Sequence, residues 1–187
     1  MIIYLVIMLF WLVGIHGNNM LSAVKEALFT PLALENVEAF NKGETPKNII
    51  NMYFLQMCGE FGGSGVTIGL VIAIMIFGKR EDNKAIASLS LVPGLFNINE
   101  TVTFGIPMVL NPILGIPFVL TPIVLEIVGY ILTVIGFCPV ACLTVPWTCP
   151  PLIFGFLATG ANIMGAVTQV ILIACLLYTS PSPRDCS

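Results

Sequence analysis

Charged residues are scarce in this chain of 187 residues. They make up 9% of the sequence, whereas a typical soluble domain contains about 25%. Hydrophobic residues make up 57%, and several apolar runs approach or exceed the roughly 20 residues that a membrane-spanning helix needs. The sequence therefore predicts an all-α integral membrane protein that crosses the membrane several times and contacts lipid.

Motifs for metal binding, nucleotide binding and nucleophilic catalysis are also missing. The six cysteines include no CxxC pair, and the single histidine cannot complete a zinc site. The chain contains no P-loop, no GxGxxG fingerprint and no Ser/His/Asp nucleophile motif. Its net charge of −3 comes from a few local clusters. We therefore expect no metal, no cofactor and no nucleic-acid partner.

The N-terminal apolar run ends at a histidine between glycines. Residues 1–15 lack the basic residues and the cleavage site of a secretory signal and are predicted to belong to a spanning helix. His16 follows them. One interpretation is a histidine that is hydrogen-bonded at a helix end. The other is a binding-site histidine, because an imidazole can both donate and accept hydrogen bonds.

Residues 20–50 are too polar to span a membrane. Apolar residues recur there at helical spacing, with Lys25 and Glu26 on the opposite face, which predicts an amphipathic helix at the membrane interface followed by a solvated loop. Residues 49–78 are a predicted span that four glycines interrupt near Glu60. For Glu60, a cavity-facing role and a solvated position near the interface are both open.

The stretch from residue 93 to 117 carries an intramembrane carboxylate, Glu100, between strongly apolar segments. A carboxyl group at membrane depth costs roughly 2.5–3.5 kcal/mol, which favours a functional role. Recurrent prolines make a regular helix improbable, and irregular backbone is tolerated only beside protein or a watery cavity. We predict a re-entrant hairpin over residues 84–105 with Asn97, Asn99 and Glu100 near its tip, as in a transporter.

Two further broken segments are predicted downstream. Residues 106–137 should begin as extended chain and become helical from about Ile123. Glu126 would then lie near the first turn, where the helix dipole favours a structural carboxylate. Prolines surround Trp147, which indicates another broken segment. Trp147 could offer its aromatic face to a ligand or anchor the chain at the interface.

Several of these segments resemble one family. The runs FNINE, FGIPMVLNPILGIPF, VPWT and WLVGIHG resemble the sugar-translocating IIC subunit of the phosphoenolpyruvate-dependent phosphotransferase system, in its lactose/cellobiose/diacetylchitobiose branch. The family pattern usually reads Asn-Glu-Pro, and Thr101 replaces the proline here. The resemblance implies transmembrane helices with two re-entrant hairpins, and a homodimer in the full-length protein.

The resemblance also implies a disaccharide permease in the bacterial cytoplasmic membrane. Glu100 and His16 would act on the sugar's 6-hydroxyl, and Glu100, His16, Asn97, Asn99 and Trp147 would bind the sugar. The phosphoryl group would come from a cysteine of a separate IIB protein that a IIA partner charges. This chain would then be the membrane component of a sugar phosphotransferase and would not carry the phosphoryl group itself.

The C-terminal end departs from the rest of the sequence. CLLYTSPSPRD resembles a translated sequencing adapter, which predicts a IIC fragment over residues 1–174 and an unrelated tail over residues 175–187. The fragment would correspond to the C-terminal, sugar-binding half of the family. Two alternatives remain open: a proton-coupled secondary sugar transporter and an inactive sequence fragment.

Overall fold

The computed structural model describes residues 2–106 and 111–179. Two groups of residues treated above lie outside these ranges: residues 107–110, including Pro107 of the proline series, and residues 180–187 of the predicted tail. The described ranges form helices and turns without strands, which confirms the all-α class. The ten α-helices within these ranges are α1 (Ile2–Leu12), α2 (Gly17–Met20), α3 (Ser22–Asn41), α4 (Met52–Gly59), α5 (Ile68–Phe77), α6 (Glu81–Leu95), α7 (Glu100–Gly105), α8 (Pro112–Val134), α9 (Ile153–Ala158) and α10 (Ile163–Thr179).

Helix α8 is the central element of the fold. It packs against α1, α4 and α10, and its segment Leu114–Val134 is, among the described residues, the single unbroken helix long and apolar enough to cross a membrane. Helices α4 and α5, bent by 52°, have the length and composition of one broken span. Helix α1 and the segment Ile163–Leu177 of α10 are apolar but shorter.

The prediction that the chain becomes helical only from about Ile123 is wrong, because α8 begins at Pro112 and continues through Pro117 and Pro122. Proline is tolerated in the first turn of a helix, where its missing N–H has no intrahelical partner. Farther along, the hydroxyl of Thr121 donates to the carbonyl of Pro117 at 2.7 Å. A bond of this kind, from a threonine hydroxyl to the carbonyl four residues earlier, is typical of threonine inside a helix.

The predicted span over residues 49–78 is broken at its glycine-rich centre. Between α4 and α5 lies a single 3-10 turn, Ser64–Val66. Gly62 and Gly63 have φ angles of 71° and 88°, which glycine adopts without steric cost. A Cβ added to Gly63 would lie 2.5 Å from the side chain of Asn99. The break therefore lets the backbone approach the next hairpin closely.

Helices α6 and α7 form a helical hairpin, in agreement with the prediction for residues 84–105. The acidic residues Glu81 and Asp82 open α6. The chain then reverses at residues 96–99, where the N–H of Ile98 donates to the carbonyl of Pro93 at 3.0 Å. This reversal sets the start of α7 directly after the turn.

A second hairpin follows α8, with one irregular leg and α9 as its helical leg. The N–H of Cys142 donates to the carbonyl of Ala158 at 2.7 Å and ties the two legs together. At the tip, the N–H of Cys149 donates to the carbonyl of Pro146 at 2.9 Å and closes a turn around Trp147. The broken segment predicted around Trp147 is therefore present.

Helix α3 turns one charged residue inward. Lys25, predicted on the face opposite the apolar residues, is 5% exposed, whereas the apolar Val24 and Leu28 are 48% and 58% exposed. An acidic partner on a neighbouring segment, Glu60, compensates the buried lysine. The amphipathic helix at the membrane interface stays a prediction.

Helix α10 passes through the predicted boundary at residue 174 and ends at Thr179. Leu172 and Leu176, on either side of that boundary, are both buried. The division of the chain at residue 174 stays a prediction.

Candidate functional site: a polar cavity between broken segments

A polar cavity of about 350 Å³ lies where the broken segments meet, a size at the lower end of the range for small-molecule sites. The α1–α2 junction, the end of α4, the break before α5 and the tips of both hairpins contribute to its wall. Each residue predicted to bind sugar lies in this wall. The lining residues are His16, Asn18, Asn19, Gln56, Glu60, Gly63, Ser64, Asn97, Asn99, Glu100 and Trp147.

His16 and Glu100 face each other across the cavity wall. His16 Nδ1 accepts a hydrogen bond from the N–H of Asn19 at 3.2 Å, so in the neutral ring the proton resides on Nε2. Nε2 lies 3.4 Å from Oε1 of Glu100. One nitrogen of His16 thus caps a helix end, as the first interpretation expects, and the other points to the carboxylate. A role for His16 in binding stays a prediction.

Aromatic packing supports this pair. The ring of Trp11 lies 4.4 Å from that of His16 between centroids and 5.9 Å from that of Phe104. Trp11 itself is 1% exposed. A buried indole this close to the imidazole restricts the rotation of the His16 side chain.

Glu100 is positioned by the start of α7. It is the first residue of that helix, where the helix dipole favours a negative charge. Its side chain is 47% exposed, so it is open to a ligand. Thr101 occupies the next position in the first turn, where proline is also tolerated. The backbone at this position can therefore carry either threonine or the proline that the resemblance led us to expect.

Asn97 connects three segments around the cavity. Its Oδ1 accepts a hydrogen bond from the N–H of Gly62 at 2.6 Å. Its Nδ2 donates to the carbonyl of Trp147 and to that of Cys149, the latter at 3.2 Å. Asn97 also has a φ angle of 65°, which asparagine tolerates better than most residues. The side chain therefore joins the α4–α5 break to the tips of both hairpins.

Asn99 and Asn18 both bind the 3-10 turn at Ser64. Nδ2 of Asn99 donates to the carbonyl of Ser64 at 2.5 Å, and Nδ2 of Asn18 donates to the Ser64 hydroxyl at 2.9 Å. Asn99 is 3% exposed. These bonds hold the 3-10 turn against α2 and against the tip of the first hairpin.

Trp147 offers the largest exposed aromatic surface in the cavity wall. Its side chain is 57% exposed, while its backbone carbonyl is held by Asn97. An indole held at its backbone and free at its ring can pack against the C–H face of a sugar ring.

An ion pair that the sequence did not reveal lies at the end of α4. Lys25 Nζ donates to Glu60 Oε1, and the two side chains are 7% and 14% exposed. Glu60 lines the cavity, so the cavity-facing alternative is correct. Gln56, one helical turn earlier, also lines the cavity, and the sequence analysis did not identify it. The spacing of four between Gln56 and Glu60, which places both on one helix face, was the available signal.

Glu126 lies outside the cavity wall. Glu126 is fully buried. Its carboxylate lies close to Gly59 and Tyr4, since a Cβ added to Gly59 would be 2.8 Å from Oε1 of Glu126 and 3.2 Å from the ring of Tyr4. The prediction that it lies near a first turn is wrong, because α8 begins well before Ile123. A structural role for Glu126 stays a prediction.

Thiol and metal chemistry have no site in the described part of the cavity. No described cysteine is among the lining residues, and the described residues contain no cluster of His, Cys, Asp and Glu that could hold a metal ion. The cavity instead offers carboxylates, amides, an imidazole and an indole. These groups suit a neutral polyhydroxylated ligand, whose hydroxyl groups need new partners once water is removed.

Comparison with known families gives a consistent result. Residues 1–122 match the family model described as "Phosphotransferase system, EIIC". The oligo-beta-mannoside-specific EIIC component of Bacillus subtilis is 38% identical over 167 residues, which are 88% of this chain and 38% of that protein. The cellobiose-specific EIIC component of Lactococcus lactis is 37% identical over 192 residues, covering 91% of this chain and 39% of that protein.

A solved structure is similar in fold as well. The transporter ChbC, the IIC component of the N,N'-diacetylchitobiose-specific phosphotransferase system, superimposes with a TM-score of 0.92 at 36% identity. The match covers 95% of this chain and 41% of that protein. The chain thus spans about two fifths of the length of these relatives.

Proposed function

This chain belongs to the EIIC family of the phosphotransferase system, and we propose that it forms the sugar-binding part of a multi-pass permease. The permease binds a disaccharide of the cellobiose or diacetylchitobiose type and moves it across the bacterial cytoplasmic membrane. The observation that carries the proposal is the cavity, in which Glu100, His16 and Trp147 converge from three separate segments.

In this proposal each lining group has a defined task. Glu100 accepts a hydrogen bond from the sugar's 6-hydroxyl, and His16 Nε2–H donates to the same oxygen or to the carboxylate. Trp147 packs on the apolar face of a sugar ring. Asn97 and Asn99 contribute to the site by holding the segments that present these groups, and their position in the wall also leaves them within reach of the ligand.

The phosphoryl transfer itself requires other proteins. A phosphocysteine on a IIB partner, recharged by IIA, supplies the phosphoryl group. The S–P bond breaks as the bond from the sugar's O6 to phosphorus forms, and Glu100 takes the proton that the 6-hydroxyl loses. The thiolate leaves with IIB. This chain therefore positions the acceptor, and its full-length form is proposed to assemble as a homodimer in lipid.

The function is tested with the full-length protein in membrane vesicles. Uptake of labelled cellobiose and diacetylchitobiose is measured with IIA, IIB and phosphoenolpyruvate, with and without an agent that dissipates the proton gradient. We expect phosphoenolpyruvate-dependent uptake and a phosphorylated product. Uptake that needs the proton gradient and yields free sugar would contradict the proposal and support a secondary transporter that uses Glu60, Glu100 or Glu126.

A further inference from the structure

A glutamine in α10 connects two segments of the cavity wall from behind. Gln169 is the single side-chain amide within α10, and it is fully buried. It is not among the residues that line the cavity. An amide that is buried in an otherwise apolar helix needs hydrogen-bond partners outside its own segment. Its partners therefore show which segments α10 holds together.

The carbonyl oxygen of Gln169 caps the start of α9. Oε1 accepts a hydrogen bond from the N–H of Leu152 at 2.6 Å and from that of Gly155 at 2.8 Å. The first N–H groups of a helix have no intrahelical partner, and the N-cap residue Leu152 has no side-chain oxygen to supply one. Leu152 also has a φ angle of 72°, which a leucine keeps only where its surroundings hold it. Gln169 thus fixes the junction between α9 and the tip of the second hairpin.

The amide nitrogen of Gln169 holds the end of α4. Nε2 donates to the carbonyl of Met57 at 3.1 Å, and the carbonyls at the end of a helix also lack intrahelical partners. Gln56 and Glu60, which lie on either side of Met57 in the sequence, line the cavity. One side chain therefore joins the segment that carries these two wall residues to the hairpin that carries Trp147.

The tip of the second hairpin has another attachment within the cavity wall. Nδ2 of Asn97 donates to the carbonyls of Trp147 and Cys149, and Oδ1 of Asn97 accepts from the N–H of Gly62. Asn97 and Gln169 therefore tie the same tip to the α4–α5 region at two points. Two attachments fix both the position and the tilt of a short segment, whereas one attachment would let it pivot.

We propose that Gln169 is a positioning residue for Trp147 and sets how far the indole ring lies from the end of α4. The side chain of Trp147 is 57% exposed, so the backbone that carries the ring determines its place more than packing around the ring does. This inference rests on the proposed function, in which the indole packs on a sugar ring. Loss of Gln169 would then weaken sugar binding through Trp147, without any contact between Gln169 and the sugar.

Fluorine NMR of the full-length protein labelled with fluorotryptophan reports the surroundings of this ring without any sugar. The Trp147 resonance is assigned by its loss in Trp147→Phe. Gln169→Met keeps the length of the side chain but cannot make the bonds to α9 and α4, so we expect this resonance to shift or broaden. Thr168→Val is the matched control, because Thr168 is equally buried and its hydroxyl donates within α10, to the carbonyl of Met164 at 2.8 Å. The control should leave the resonance unchanged.

A double-mutant cycle connects the ring to sugar binding. The Kd for cellobiose is measured for the wild type, Gln169→Met, Trp147→Ala and the double variant. We expect Gln169→Met to raise the Kd by about 2- to 10-fold in the presence of Trp147. In the Trp147→Ala background the same substitution should have no further effect, because the ring through which it acts is absent.

Melting temperatures distinguish loss of fold from loss of binding. If Gln169→Met does not fold, Gln169→Asn takes its place in both experiments, since asparagine keeps the amide but is too short to reach both α9 and α4. The effects of Gln169→Asn should be smaller, in the same direction, and again absent without Trp147.

Two results would overturn the inference. One is a Trp147 resonance that Gln169→Met leaves unchanged, and the other is an equal loss of cellobiose affinity with and without Trp147, which indicates a general structural effect. A wild type that binds no cellobiose, together with a Trp147 resonance that Gln169→Met displaces, would contradict the proposed function and still support Gln169 as the positioning residue.

Discussion

Replacing Glu100 by glutamine should weaken sugar binding strongly while leaving the fold intact. Glutamine keeps the shape of the side chain and removes its charge. Hydrogen bonds to a charged group contribute about 1.5–3 kcal/mol, and about 1.4 kcal/mol corresponds to a tenfold change in Kd. Since the amide retains one acceptor oxygen, we expect the Kd for cellobiose to rise about 10- to 100-fold.

The structural cost of this substitution should be small. The side chains of His16 and Glu100 are 33% and 47% exposed and 3.4 Å apart, and exposed pairs of this kind contribute about 0–1 kcal/mol. The melting temperature should therefore change little. Glu81→Gln is a matched control, because Glu81 also opens a helix but does not line the cavity.

Isothermal titration calorimetry with purified full-length protein measures the effect. Phosphorylation of bound sugar in the presence of IIB gives a second readout, which should fall by more than binding does if Glu100 also takes the proton from the 6-hydroxyl. Equal cellobiose affinity in Glu100→Gln, Glu81→Gln and the wild type would refute the placement of Glu100 in the sugar site.

Three further predictions concern the cavity wall. Trp147→Ala should lower cellobiose affinity about tenfold while Trp147→Phe retains most of it, because stacking needs an aromatic face; equal titration curves would contradict this. Asn97→Asp should weaken binding more than Asn97→Gly in the same titrations. In the wild type the side-chain amide of Asn97 donates to the carbonyls of Trp147 and Cys149, and a carboxylate in its place would repel both oxygens. Gly63→Ala should lower the melting temperature more than Gly43→Ala: both glycines have positive φ, but only the first would clash with Asn99, at a cost of about 1–3 kcal/mol.

The helical hairpin and its carboxylate could be predicted from local features. The polar run FNINE lies between apolar segments and prolines. A continuous membrane-spanning helix would expose its polar side chains to lipid, so the local sequence alone predicts a turn near residues 96–99. The same reasoning applies to the broken segment around Trp147. The start of α8 could not be predicted in this way, because proline has an unfavourable average effect on helices, whereas α8 begins at Pro112, in the first turn where proline is tolerated.

The sequence by itself determined the all-α membrane class, the segments that break and several of the polar residues in them, since these depend on composition and on neighbours along the chain. Only the tertiary structure decided which partners those residues meet. The Lys25–Glu60 pair joins residues 35 positions apart, and Asn97 meets Trp147 across 50. Helical periodicity describes how one segment alternates between polar and apolar faces, but a buried charge is placed by the partner that compensates its desolvation, and that partner lies elsewhere in the chain.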